Sequence, residues 1–276
     1  MIVKALREVA ATYRRFGYRK LGIFLRRDGL LVNHKKLYRI YKADRLAVPR
    51  RRKRHVRHER GASLQPVTGA NQRWSIDFLS DSLISGRKIR ALSIIDDYTR
   101  EALALEIDFS LPAARVIREL DAIALHRGYP QVLRSDNGPE FVSHALLKWA
   151  AERNVRLHFI DPGKPTQNAT IESLNARIRD EFLNEHAFLT LSDARREAAL
   201  WLHHYNHVRP HGSLRYKTPA EFAESLLSEP DPVSRTLYDG WRRADPRGMS
   251  WENSVDHSVS NSSLKPFEPR WLEIAA

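Results

Sequence analysis

Three apolar runs of strand length follow one another closely: residues 73–79 (RWSIDFL), 91–99 (ALSIIDDYT) and 102–108 (ALALEID). Runs this short, rich in β-branched and aromatic residues, predict strands rather than independent helices. Gly86, in the segment SGRK, predicts a hairpin-type turn between the first two. The pattern then alternates. Residues 111–127 read as a helix with Pro112 in its first turn. Residues 131–136 (QVLRSD) read as a buried strand ended by Asn137-Gly138-Pro139. Residues 140–153 read as a helix and 156–161 (RLHFID) as a fifth strand. After the loop PGKPTQN a long helix begins near Asn168, and another covers 192–207. A meander of three strands followed by alternating helices and strands predicts an α/β domain, a mixed sheet with helices on its faces.

Three carboxylates fall where these elements converge. Asp77 lies inside the first strand, where Trp74, Ile76 and Phe78 alternate with Ser75, Asp77 and Leu79. A carboxylate in mid-strand needs a partner or a metal. Asp136 ends the fourth strand, where α/β folds place their chemistry. Glu172 is near the start of the long helix. There Ile171, Leu174, Ile178 and Phe182 recur at core spacing, while Asn168, Glu172, Asn175 and Arg179 form a second stripe beside it. Three gathered carboxylates repel one another. Bound Mg²⁺ or Mn²⁺ removes that repulsion, and two such ions can carry in-line phosphoryl transfer. The competing account makes Asp136 a turn cap and Glu172 a residue that favours a helix N-terminus.

The chain ahead of this body has a different charge. The whole carries +13, yet residues 1–60 hold 20 Lys/Arg against 4 Asp/Glu, leaving 26 against 29 for the rest. Such asymmetry predicts a polyanion-binding module on a near-neutral body. Residues 2–15 read as a helix with Val3, Leu6, Val9 and Ala10 on one face. A second runs from Tyr18 to Arg27 and is stopped by Gly29. Asn33 is placed to cap a third, carrying Leu37, Ile40 and Tyr41. Short helices joined by a Gly-containing turn suggest a helix-turn-helix, with Lys35, Lys36, Arg39 and Lys42 placed for phosphate and base contacts. Arg50, Arg51, Arg52, Lys53 and Arg54 then form a solvated run suited to tracking a DNA backbone.

The segments WSIDF, SIIDDYTRE, VLRSDNGPEF, PGKPTQNATIESLNARIRDEFLN and YNHVRPHGSLRYKTPAEF resemble, in that order, the integrase core of insertion-sequence transposases of the IS-three family, in the second-frame (OrfB) type. GYRKLGIFLRRDG resembles the family's helix-turn-helix, and the likeness spans about residues 1–226. Thirty-five residues separate Asp136 from Glu172, the family's spacing. The resemblance implies an RNase H-like core preceded by a small all-α domain. It implies a DDE triad at Asp77, Asp136 and Glu172 that cleaves element ends and joins a 3′-OH to target DNA with two Mg²⁺ or Mn²⁺ ions. The family's basic residue seven positions after the glutamate corresponds to Arg179. Thr170, Ala176 and Phe182 depart from the common Tyr, Gly and Cys without touching the triad. The family implies work in the bacterial cytoplasm at the nucleoid, oligomers on DNA, and often fusion to an upstream frame. A plain nuclease on the same fold, or a non-catalytic DNA-binding regulator, would share most of these features.

The expected organisation is a helix-turn-helix domain over 1–48, a basic linker over 49–70, the catalytic core with C-terminal helices over 71–226, and an irregular tail over 227–276. Lys164 is expected to meet a phosphate, and Gln167, Asn168, Asn175 and Arg179 to contact DNA beside the glutamate; loop structure and capping compete for Lys164, Gln167 and Asn168. Tyr205, Asn206, Arg209 and His211 belong to a family motif of structural or DNA-contacting role. His203, His207 and His211 have metal-face spacing, but Pro210 interrupts their helix before His211. The absence of cysteine excludes disulfides and thiolate zinc sites and fits a reducing cytosol. No apolar run is long enough to cross a membrane.

Overall fold

Five strands form one mixed sheet in the order β3-β2-β1-β4-β5, in a computed structural model that describes residues 1–48, 66–161 and 168–227. They are β1 (Arg73–Ser82), β2 (Lys88–Asp96), β3 (Ala102–Asp108), β4 (Val132–Ser135) and β5 (Arg156–Phe159). β1, β2 and β3 make an antiparallel meander, and β4 and β5 run parallel to β1. The first hairpin is longer than its apolar runs. Ser80 pairs with Arg90 and Ser82 with Lys88 at its outer end. Ladder hydrogen bonds need no apolar side chain. Ile89 stands alone between Lys88 and Arg90, yet it is buried in the core with Leu83, so the extension gives only a weak hydrophobic signal. Gly86, at φ 81°, closes the turn.

Both sheet faces are covered, which explains the near-continuous apolar texture of β2. On one face Trp74, Ile76, Leu92 and Ile94 pack with Val116 and Leu120 of α4 (Ala113–Arg127) and Leu146 and Trp149 of α5 (His144–Glu152). On the other, Leu79, Ala91, Ile95 and Ile107 pack against Ile171, Leu174 and Ile178 of α6 (Ala169–Ile178) and Trp201 of α7 (Leu191–His207). Pro112 stands one position ahead of α4, with extended ψ, rather than in its first turn. The long helix is not continuous: α6 passes into a π-helical turn, Arg179–Leu183. The wider turn lets Phe182 and the adjacent Leu183 both face inward. Beyond α7 lie a short 3-10 turn, Gly212–Leu214, and α8 (Pro219–Leu227).

Three helices precede the sheet: α1 (Ile2–Thr12), α2 (Tyr18–Arg27) and α3 (His34–Ala43). Leu6, Phe16, Leu21, Leu25, Leu37 and Tyr41 are their buried centre. Asn33 caps α3 by accepting from the Lys35 N–H. Gly29, at φ 78°, donates to Arg26 while Leu30 donates to Leu25, which ends α2. α1 stops at Thr12 rather than near residue 15, because Tyr13 and Phe16 turn into an aromatic cluster. Tyr13 stacks on Phe16, on Phe24 and on His204 of α7. The basic run Arg50, Arg51, Arg52, Lys53 and Arg54, the loop residues Lys164 and Gln167, and the tail beyond residue 227 lie outside the described residues. Among the described residues, no helix is long and apolar enough to cross a membrane.

Candidate active site

The strand ladder decides where the first two carboxylates stand. β1 and β4 are neighbouring parallel strands with Ser75 opposite Arg134. Two residues further along each chain come Asp77 and Asp136, so the register carries the two to the same level. Adjacent strands lie about 4.8 Å apart. Asp77 is half-buried and faces Ser93 of β2 across the ladder. Its Oδ1 accepts from the Phe78 N–H at 2.7 Å and its Oδ2 from Asn175 Nδ2 at 2.7 Å. Asn175 Oδ1 in turn accepts from Ser93 Oγ at 2.7 Å. The amide therefore bridges α6 to the two central strands.

Glu172 lies in the first turn of α6, exposed, three residues before Asn175 and on the same helix flank. Burial pushes the Asp77 carboxyl up to about 6, and the charges of Asp136 and Glu172 push the same way. The Phe78 and Asn175 hydrogen bonds oppose that rise. Asp136 accepts from the Gly138 N–H at 3.0 Å. A Cβ on Gly138 would stand 3.0 Å from Asp136 Oδ1 and 3.4 Å from the Phe141 ring, so a larger residue here would press on the Asp136 carboxylate. The loop beyond it is anchored to the hairpin: Arg90 pairs with Glu140 and lies over the Phe78 ring, which stacks on Phe141.

Beneath the carboxylates is a buried charge network with no advance signal in the sequence. Asp97 meets Arg73 at 2.5 Å, Arg134 at 2.7 Å and Ser75 Oγ at 2.7 Å. Asp97 and Arg134 are 1% and 4% exposed. The network holds β1 and β4 in register one turn of the ladder below Asp77 and Asp136.

Other expected residues have different placements. Lys35, Lys36, Arg39 and Lys42 are all exposed along α3. Asn168 is at the N-cap position of α6 but is buried, and its side chain makes no capping bond. Asn175 is engaged with Asp77 and Ser93 rather than turned to solvent. Arg179 donates to the Ser80 carbonyl at 3.3 Å. Tyr205 and His211 are buried, Asn206 bonds the backbone of Ala102 in both directions, and Arg209 makes paired bonds with Glu181 at 2.6 Å. These four brace the core. The three histidines do not share a face: His203 stacks on His207, while His211 Nε2 lies 3.1 Å from the Tyr205 carbonyl.

Among the described residues, no three His, Asp or Glu side chains are arranged to hold an ion as they stand. The donor set around Asp77 nonetheless suits a hard divalent cation, being all oxygen and mutually repulsive.

Two models of an integrase core domain match residues 67–165 and 153–219, and a model of an HTH-like domain matches residues 2–54. Fold and matches together define an integrase-core protein with a helical DNA-binding domain ahead of it. Over 225 residues the chain is 48% identical to the "Insertion element IS407 uncharacterized 31.7 kDa protein" of Burkholderia multivorans, covering 81% of this chain and 80% of that one. It is 24% identical over 225 residues to "Transposase InsD for insertion element IS2D" of Escherichia coli strain K12, covering 75% and 73%. A chain in the solved structure of a simian T-cell lymphotropic virus intasome with PP2A regulatory subunit B56 gamma aligns with TM-score 0.51 at 17% identity, over 89% of this chain and 80% of that one. That likeness concerns fold alone. The chain belongs to the IS-three family of insertion-sequence transposases. Its core is of the RNase H-like, polynucleotidyl-transferase type.

Proposed function

We propose that this transposase cleaves DNA at the ends of an insertion element and joins the freed 3′-OH to target DNA, using Asp77, Asp136 and Glu172. The observation that carries the reading is the Asn175–Asp77 hydrogen bond, which ties the helix bearing Glu172 to the strand whose neighbour, β4, leads directly into Asp136. Asp77 and Asp136 would hold one divalent ion, and Glu172 with one of them a second. Two Mg²⁺ or Mn²⁺ ions supply activation of the attacking oxygen and stabilisation of the leaving oxygen.

The chain's own part is to orient. Asn175 and the Phe78 N–H fix the Asp77 carboxylate, and the Gly138 N–H fixes Asp136. In the first step a water oxygen attacks phosphorus at the element end, the P–O3′ bond breaks, and a 3′-OH is left. In the second, that 3′-OH attacks a target phosphodiester. One P–O bond forms, one breaks, and the target 3′ oxygen leaves as an alcohol. No covalent link to the protein is needed.

In this reading residues 1–48 recognise DNA through α3, residues 49–70 track its backbone and residues 71–226 carry the chemistry. Assembly as a homo-oligomer on paired ends, and fusion to an upstream-frame product, belong to the same proposal. The test is strand transfer on end-containing DNA with Mg²⁺, comparing the chain with Asp77→Asn, Asp136→Asn and Glu172→Gln. Each amide variant should bind DNA yet neither cleave nor join. Cleavage without joining would make the chain a nuclease, binding without chemistry a regulator. Near-normal activity in one amide variant would remove that residue from the site.

A further inference from the structure

Helix α6 has a second face that the carboxylates leave unused. Successive α-helical residues turn by about 100°. Glu172 and Asn175 lie on the flank that meets Asp77, while Thr170, Ser173 and Arg177 fall roughly 100–160° around the helix from them. That far flank is one wall of a cleft of about 1130 Å³. Tyr18 and Arg19 of α2 and Tyr38 of α3 contribute the facing wall, and Arg100 and Tyr216 also line it. The cleft is therefore shared between the N-terminal helices and the integrase core.

Its chemistry is one-sided. No Asp or Glu is among the described residues lining it, whereas five basic side chains are. Arg209 is matched by Glu181, and Lys20 sits over the Phe16 ring beside that pair. The charge offered to a ligand comes from Arg19, Arg100 and Arg177. Arg19 and Arg100 hydrogen-bond neutral partners, the Tyr18 hydroxyl and Thr170 Oγ1. Tyr38 is 45% exposed and its ring meets Tyr18 at 4.9 Å. The volume exceeds the roughly 300–1,000 Å³ of a drug-sized ligand site. Arginines that can face phosphates, interleaved with aromatic rings that can stack bases, are how proteins hold single strands. In a duplex the bases are already stacked on each other, and the exposed basic side of α3 is the surface suited to it.

We propose that this cleft binds unpaired DNA, a few nucleotides of a strand separated from the duplex that α3 grips. Phosphates meet Arg19, Arg100 and Arg177, and bases stack on Tyr38 and Tyr216. A strand held there fixes the recognition domain against the helix that carries Glu172. The inference rests on the DNA-acting assignment of the chain, but not on the three carboxylates.

The test uses the full chain in EDTA, with a labelled oligothymidylate of about 12 nucleotides, within the range of single-strand site sizes, and a duplex of equal length. Ser173→Asp combined with Arg177→Glu reverses the cleft wall at two exposed positions without touching the core. Single-strand affinity should fall about tenfold or more and its salt slope should shrink, while duplex affinity changes by less than about twofold. Arg177→Lys should bind like the parent, and Asp77→Asn should bind both probes normally. Unchanged single-strand binding in the reversed variant, with its thermal melt intact, overturns the proposal. Equal loss of both probes also overturns it and reassigns the cleft to duplex backbone. Failure of the carboxylate reading would appear only in the strand-transfer assay, so the two outcomes are separable.

Discussion

Asn175 donates to Asp77 across 98 positions of chain, and that single 2.7 Å bond joins the helix of one carboxylate to the strand of another. The same amide accepts from Ser93 Oγ, so its orientation is set from both ends. A residue that looked from its helix stripe like a DNA contact is placed to position a carboxylate.

Removing it should therefore act through Asp77. Asn175→Ala is expected to lower strand-transfer activity by about 10–100-fold, the usual effect of losing a partner that orients a metal ligand. The Mg²⁺ concentration giving half-maximal activity should rise. DNA affinity measured in EDTA should stay as in the parent. An unchanged Mg²⁺ midpoint would show that Asn175 only packs.

The buried Asp97–Arg134 pair predicts a stability effect. Replacing Arg134 by Met leaves Asp97 in the interior with Arg73 as its remaining cation. Breaking a buried pair from one side costs about 3–5 kcal/mol. The second arginine should bring the loss toward the lower end. Urea unfolding of the variant should show it; a midpoint within error of the parent would contradict this account.

Acid should weaken the fold in a defined window. Burial lowers His204 to about 4 and His211 to about 3, from an ordinary 6.5, with the Arg209 and Lys20 charges pushing further the same way. Glu181 opposes the effect at His204. The unfolded chain thus takes up protons at these sites that the folded chain refuses. Their contribution to stability is intact above pH 6.5 and is lost as pH falls toward 4. His204 stacks on Tyr13 and Phe16. His204→Phe should keep the stack and flatten the dependence of melting temperature on pH between 6.5 and 4. An equally steep profile in the variant would assign the acid sensitivity elsewhere.

The exposed cations of α3 predict a salt effect. Lys35, Lys36 and Arg39 replaced singly by Ala should each reduce the log–log salt slope of duplex binding by about 1 if that side chain meets a phosphate. A substitution that alters sequence preference with little change of slope marks a base contact. A residue that changes neither is not at the interface.

Periodicity made much of this architecture readable. Alternation in β1 and the Ile171, Leu174, Ile178 and Phe182 stripe report burial directly, because local pattern and solvent exposure share a cause. The Asn33 cap and the Gly29 stop are equally local. What was not readable depends on partners far apart in the chain. Asn175 reads as a DNA contact and Arg209 as part of a motif without a stated partner, while Asp97, Arg134 and Glu181 look like ordinary polar residues until the sheet and the helices bring them together. The π turn left the spacing of the apolar stripe intact, so it gave no sign. His203, His207 and His211 kept a suggestive spacing that the chain reversal after Val208 dissolves.

The parallel pairing of β1 with β4 has a consequence for descent as well as for chemistry. Asp77 and Asp136 are held level by backbone pairing, not by the intervening hairpin, β3 and α4. Insertions, deletions and drift in those connecting pieces leave the separation of the two carboxylates untouched as long as Ser75 still faces Arg134. A lineage can thus remodel the outer surface between them, where new target preferences or partners would arise, without changing the spacing of these two carboxylates.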